Sequence, residues 1–179
     1  MTTPGQSPAL AALGEGRLAG SWTLDAARSQ VRLATKSMWG MVPVRGVFGE
    51  VSGSGTVTGA GDVTGTLTVA AGSIDTKIKK RDDHLRSADF LDAANYPDIT
   101  FSVEAISPAA GGVTVSGGLT VRGTTRPVSF GAAVFGDDGE VTLDAEVPVN
   151  RADYGLTFNQ LGMMGMKSAI TIHAVFIRQ

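Results

Sequence analysis

The chain has 179 residues, with 24 Gly, 18 Val, 18 Thr and no Cys, and only 18% of it is charged. Fifteen Lys and Arg against seventeen Asp and Glu give a formal charge of -2 and a pI near 5.6, which excludes a broad nucleic-acid footprint. A hydrophobic content of 42% with mean hydropathy +0.11 excludes disorder, and the absence of Cys excludes disulfide staples, thiol nucleophiles and cysteine-ligated zinc.

Residues 1–20 read as a weakly ordered arm with one short helical turn around residues 8–13. No Lys or Arg precedes the short apolar run 9–13, and Pro4 and Pro8 break it, so it is a poor secretory signal and the expected location is cytoplasmic. No stretch approaches the roughly 18 consecutive apolar residues of a membrane span, so no integral membrane segment is expected.

From Ser21 onward, apolar and polar residues alternate with a period of two, interrupted by glycine-rich turns. Eight strands are predicted: 21–37, 44–58, 63–74, 99–106, 112–121, 127–135, 140–149 and 168–177. No strand-helix-strand rhythm appears. An antiparallel sheet this long leaves exposed edges unless it closes, which predicts a barrel or a two-sheet sandwich. A barrel of eight strands has room for filling side chains or for one small ligand.

One segment departs from this pattern. Residues 75–92 hold ten of the 32 charged residues and no Gly or Pro, predicting a helix over about 77–88 with Asp75 or Thr76 as N-cap. Ile78, Arg81, Asp82 and Leu85 share one face, so the packed side of this helix carries an Arg and an Asp beside aliphatics. Either the two charges bond each other or loop carbonyls and lock the helix across a barrel opening, or one meets the polar end of a bound molecule.

All five internal methionines lie in two loops, Met38 and Met41 in one and Met163, Met164 and Met166 in the other, with Trp39 and Phe158 nearby in sequence. Methionine is flexible and polarizable, which suits a mouth that adapts to an irregular apolar guest, a plug for the barrel end, or a subunit contact.

Several stretches resemble the YceI-like family: Ser73-Ile-Asp-Thr76, Arg81-Asp-Asp-His-Leu-Arg-Ser-Ala-Asp-Phe90, Tyr96-Pro-Asp-Ile-Thr-Phe101 and Gly118-Leu-Thr-Val-Arg-Gly-Thr-Thr-Arg-Pro-Val128. Trp22-Thr-Leu-Asp25 with Ser29, Val44-Arg-Gly-Val-Phe48 and Asn150-Arg-Ala-Asp-Tyr-Gly155 extend the likeness over residues 21–178. The resemblance implies an all-β fold, an extended eight-stranded antiparallel lipocalin-like barrel with the charged helix capping an opening, whose interior binds a long apolar chain such as a polyisoprenoid. His84 keeps the family position. Arg28 and Lys36 stand where the family often has histidines, so no role of those histidines carries over.

The expected function is therefore to bind, carry or buffer a long-chain lipid (a polyisoprenoid, an isoprenoid quinone or a fatty-acyl compound), with no other cofactor and no reaction. The candidate contacts are Met38, Trp39, Met41, Phe48, Ile78, Arg81, Asp82, His84, Leu85, Phe90, Phe101, Phe158, Met163, Met164 and Met166. No catalytic or metal-ligating residue is assigned. Gly-x-Ser-x-Gly, Gly-x-x-x-x-Gly-Lys-Ser/Thr and His-x-x-x-His are all absent. The alternative is an enzyme acting on such a lipid through His84 and nearby carboxylates. His173, between Ile172 and Ala174, reads as an outward-facing strand residue. A homodimer is compatible with the exposed strand edges.

Overall fold

The computed structural model describes residues 8–159 and 162–179. Its strands are β1 (Gly20–Leu24), β2 (Gln30–Ser37), β3 (Val42–Phe48), β4 (Val51–Val57), β5 (Val63–Ala70), β6 (Ile74–Asp75), β7 (Asp98–Ala109), β8 (Gly112–Val121), β9 (Thr124–Gly136), β10 (Glu140–Asn150) and β11 (Lys167–Arg178), with helices α1 (Pro8–Gly14) and α2 (Lys79–Arg86). Neighbouring strands all run antiparallel. The ring β1-β4-β5-β7-β8-β9-β10-β11 closes through the β1–β11 pairing, giving an eight-stranded barrel.

The first three predicted strands are each interrupted. Residues 21–37 split into β1 and β2, 44–58 into β3 and β4, and 63–74 into β5 and β6. At the first break, Asp25 Oδ1 accepts from the backbone N–H groups of Ala27 (3.1 Å) and Arg28 (3.3 Å), a local turn that takes the chain out of the ladder. Ser29 Oγ then accepts the N–H of Val175 (2.9 Å), so β11 stays satisfied across the gap. Beyond it, β2, β3 and β6 continue from β11 as an extension of the wall at one end of the barrel.

Closure requires close backbone approach at a few places. The register of β7 and β8 shifts between Val103 and Ala105, and a Cβ on Gly117 would stand 2.0 Å from the Ser102 carbonyl oxygen. Only glycine fits beside that bulge.

The β9–β10 seam is incomplete. Residues 132–136 pair with 141–145, whereas the halves of these strands nearer α2 diverge. A 3₁₀ turn at Arg151–Tyr154 fills the split: Arg126 Nε donates to the Asp153 carbonyl (3.1 Å), and Tyr154 and Leu156 pack with Leu119 and Val121.

The arm expected at the N-terminus is helical from Pro8 to Gly14, and this helix is not loose: Ala9 and Ala12 are fully buried in a cluster with Leu18, Trp22, Val113 and Val134 at the barrel end away from α2. Residues 1–7 lie outside the described residues. The helix α2 begins later than predicted because Lys77 adopts a left-handed conformation (φ 67°), its N–H held by Asp75 Oδ1 (2.8 Å). The predicted N-cap is corrected accordingly: Ile78 holds that position, without a side-chain cap.

Candidate functional site

Alternation along the strands turns Val31, Leu33, Val69, Leu119, Val147 and Ile170 inward, and the space they leave is hollow. A cavity of about 360 Å³ occupies the α2 half of the barrel, within the size range of small-molecule sites. A second, of about 160 Å³, lies in the α1 half, closed by Ala9, Leu10, Leu13 and Trp22. The two share Leu67, Phe101, Phe130 and Ile172. The rings of Phe101 and Phe130, 5.4 Å apart at 53°, make the waist between them.

The charged pair on α2 neither forms an ion pair with itself nor points jointly at a ligand. Both groups converge on Thr76. Its hydroxyl donates to Asp82 Oδ1 (2.5 Å) and accepts from Arg81 Nε (2.7 Å), while its N–H donates to Asp82 (2.8 Å) and its carbonyl accepts from Arg81 Nη2 (2.9 Å). Asp82, 6% exposed, is thereby a structural latch holding α2 over the opening. Arg81 serves the latch and also lines the larger cavity. Arg86 adds bonds to the carbonyls of Gly72 (2.7 Å) and Ile74 (2.8 Å).

Beside the latch stands an aromatic cluster. His84, Phe90 and Phe158 meet edge to face with centroids 5.0 to 5.4 Å apart, and the Arg151 guanidinium lies 5.6 Å from the Phe90 ring centre. Arg151 donates to the carbonyls of Leu156 (2.6 Å), Phe158 (2.7 Å), Met164 (3.3 Å) and Gly165 (2.9 Å), organising the segment after β10. Burial lowers its pKa from the ordinary arginine value. His84 Nε2 contacts Asp89 Oδ2 (2.9 Å), not Asp82 or Asp83, and among the described residues no hydroxyl bonds the imidazole.

The two methionine loops meet. The Trp39 N–H donates to the Met163 carbonyl (3.2 Å), and the Gly165 N–H to the Lys36 carbonyl (2.9 Å).

Nine of the fifteen candidate contacts line the larger cavity: Met38, Phe48, Arg81, His84, Leu85, Phe90, Phe101, Met163 and Met164. Phe158 stands behind them in the aromatic cluster. Met166 is half-buried, and its carbonyl accepts the Arg151 N–H (2.9 Å). The remaining four candidates lie outside that lining: Asp82 is sealed in the latch, while Trp39 (63% exposed), Met41 (73%) and Ile78 (51%) face outward, since the hairpin tip and the start of α2 overhang the rim. Arg151, Tyr154 and Leu156 were missed. The Asn150-Arg-Ala-Asp-Tyr-Gly155 stretch was the available signal for the first two.

The lining is apolar with polar groups gathered toward the rim, including Lys36, Ser37, Arg81 and Ser168; among the described residues no Asp or Glu lines the cavity. No group of three His, Asp or Glu suited to a metal occurs among them either. His173 is exposed beside Asp144 (2.6 Å), on the outside of the sheet.

The family model of the YceI-like domain matches residues 22–176. A curated relative, Protein YceI of Salmonella arizonae, is 29% identical over 119 residues, which span 63% of this chain and 62% of that protein's length. The crystal structure of Burkholderia cenocepacia BcnA is similar with a TM-score of 0.77 at 27% identity, covering 85% of this chain and 98% of that one. A structure of a polyisoprenoid binding domain from Saccharophagus degradans shares the fold with a TM-score of 0.70 at 17% identity, over 88% and 98% of the two chains. Matched by the family model along almost the whole barrel, and built on the fold of these neighbours, the chain belongs to the YceI-like domain family.

Proposed function

We propose that the protein binds a long, mostly apolar lipid inside the barrel and carries or buffers it without changing it. The observation that carries this reading is the pair of apolar chambers along the barrel interior, meeting at one aromatic waist and capped by α2. Burying ten methylenes supplies about 8 kcal/mol, of order micromolar affinity before ordering costs are subtracted. Such a guest needs little polar grip. Lys36, Arg81 and His84, at the rim, set the direction of the head group.

Polyisoprenoids, isoprenoid quinones and fatty-acyl compounds all meet this description, and the polyisoprenoid binding described for the Saccharophagus degradans neighbour favours the first. A catalytic role gains no support from His84, whose ring partner is the Asp89 carboxylate and to whose imidazole no hydroxyl bonds among the described residues. Mass spectrometry of a solvent extract of protein purified without lipid-stripping steps is the decisive measurement. A lipid in near-stoichiometric amount, chemically unaltered after incubation, is expected. Repeated extractions without lipid, together with no saturable binding of an apolar fluorescent probe, would overturn the proposal.

A further inference from the structure

The β2–β3 hairpin ends in a run of six consecutive exposed residues, 38–43, of which five are apolar: Met38, Trp39, Met41, Val42 and Pro43. Such a run on a soluble surface is unfavourable unless something covers it. The backbone adds to its cost. Met38 (φ 52°) and Trp39 (φ 54°) occupy the left-handed region ahead of Gly40, in a turn closed by the Gly40 N–H donating to the Ser37 carbonyl (3.1 Å). Turns with two such residues favour Asn-Gly, not Met-Trp. Large apolar side chains are thus held outward at positions where small polar ones are easier to accommodate. The Trp39 N–H bond to Met163 pins the tip against the second methionine loop.

The hairpin and the second methionine segment beside it carry a single sign. Residues 31–49 include Arg32, Lys36 and Arg45 and no Asp or Glu, and residues 156–170 include Lys167 and no Asp or Glu. Lys36 is opposite Pro43 in the β2–β3 ladder, Arg45 is opposite Ala34, and the Lys167 carbonyl accepts from Thr35 Oγ1 (3.2 Å). On the α2 side of the same rim, Ile78 is exposed next to Lys79, which pairs with Asp83 (2.7 Å), and Lys80, for which no ion pair occurs among the described residues. The chain as a whole is slightly acidic, so a positive collar at this end is a local arrangement.

We propose that this end of the barrel docks on an anionic lipid surface, with the hairpin tip entering the interface and the Lys/Arg collar meeting the head groups. An aromatic and methionine tip ringed by cations has the chemistry of an interfacial anchor. Met38 belongs both to the tip and to the larger cavity, so docking sets the cavity mouth against the bilayer and shields an apolar guest from water during transfer. The docking itself does not depend on the guest.

The test uses the full chain and vesicles of phosphatidylcholine, with or without phosphatidylglycerol. Binding to the anionic vesicles is expected, accompanied by a blue shift of tryptophan emission. That shift reports Trp39, because the other tryptophan, Trp22, is 5% exposed. Trp39→Ser/Met41→Ser should weaken vesicle binding about tenfold or more, and Arg45→Glu/Lys80→Glu should remove the preference for anionic vesicles. None of these four side chains lines a cavity, so extracted lipid should stay at the wild-type level. That extraction separates a failure of docking from a failure of lipid binding. Absence of wild-type binding to either vesicle type, or equal binding by the Trp39→Ser/Met41→Ser protein, overturns the proposal. A tip that engages only a protein partner gives the first of these results.

Discussion

The most informative side chain in the cap is Thr76, buried between two charges. Its hydroxyl is at once donor to Asp82 and acceptor from Arg81, so one oxygen couples helix α2 to the segment that follows β6. Thr76→Val keeps the shape and removes both bonds, leaving one Asp82 contact and part of the Arg81 fork unmet. The expected loss is about 1–3 kcal/mol, read as a lower midpoint in urea unfolding. An unchanged midpoint would show that the latch contributes nothing. Tyr154 offers a second prediction. Burial first, and then the neighbouring Asp153 charge, raise its phenol above the ordinary tyrosine value. Folding favours the neutral form, so this contribution is whole below the unfolded pKa of about 10 and is lost as pH climbs through the higher folded value. The Tyr96→Phe protein retains Tyr154 as its sole tyrosine. Its ultraviolet titration should have a midpoint above 10, with thermal stability falling over the same interval; a midpoint at 10 or below contradicts the assignment.

At the scale of elements, the period-two alternation was strong enough to mark eight strands, and all eight correspond to barrel staves. What it could not mark were the interruptions at 25–29, 49–50 and 71–73, where the chain is held by bonds between residues far apart in sequence, such as Ser29 to Val175, Gly49 to Ser73 and Ala71 to Pro97. Charge density located α2, yet the later start of the helix depends on the left-handed Lys77, which has no residue-type signature. Within the candidate site, inward strand and loop positions were legible from alternation and from family resemblance. The outward position of Trp39 and Met41 was not legible, because apolar character alone does not say on which side of a rim a loop residue lies. Helix α1 was the least legible element: seven residues, two prolines nearby and no charged face gave no sign that Ala9 and Ala12 seal the barrel. Removing residues 1–14 should expose Leu18, Trp22 and the smaller chamber. A loss of about 2–3 kcal/mol, or about 5–10 °C in Tm, is expected, together with increased binding of an apolar dye. A truncated protein with unchanged Tm and dye binding would mean that α1 is not a plug.

For the molecule as a whole, the waist decides how much of the interior a guest can use. Phe101 from β7 and Phe130 from β9, the two strands that flank β8, close it, and β9 beside Phe130 has no β10 partner, since the seam pairs only from Ala132 onward. The wall is therefore softer at the residue that must move. A chain short enough for the larger chamber leaves the rings in contact. A longer one has to separate them, and loses ring–ring contact of about 0.5–1.5 kcal/mol before its added methylenes gain about 0.8 kcal/mol each in the smaller chamber. Affinity along a series of fatty acids of increasing length should accordingly rise, pause when the chain reaches the waist, and rise again. Phe130→Leu keeps the site apolar while removing the ring contact. It should erase the pause and tighten binding of the longest chains severalfold, with little change for the shortest. Calorimetric titration across the series distinguishes the cases: a pause that persists in Phe130→Leu would place the barrier elsewhere, and a uniform shift at every length would mean that Phe130 acts on the larger chamber alone.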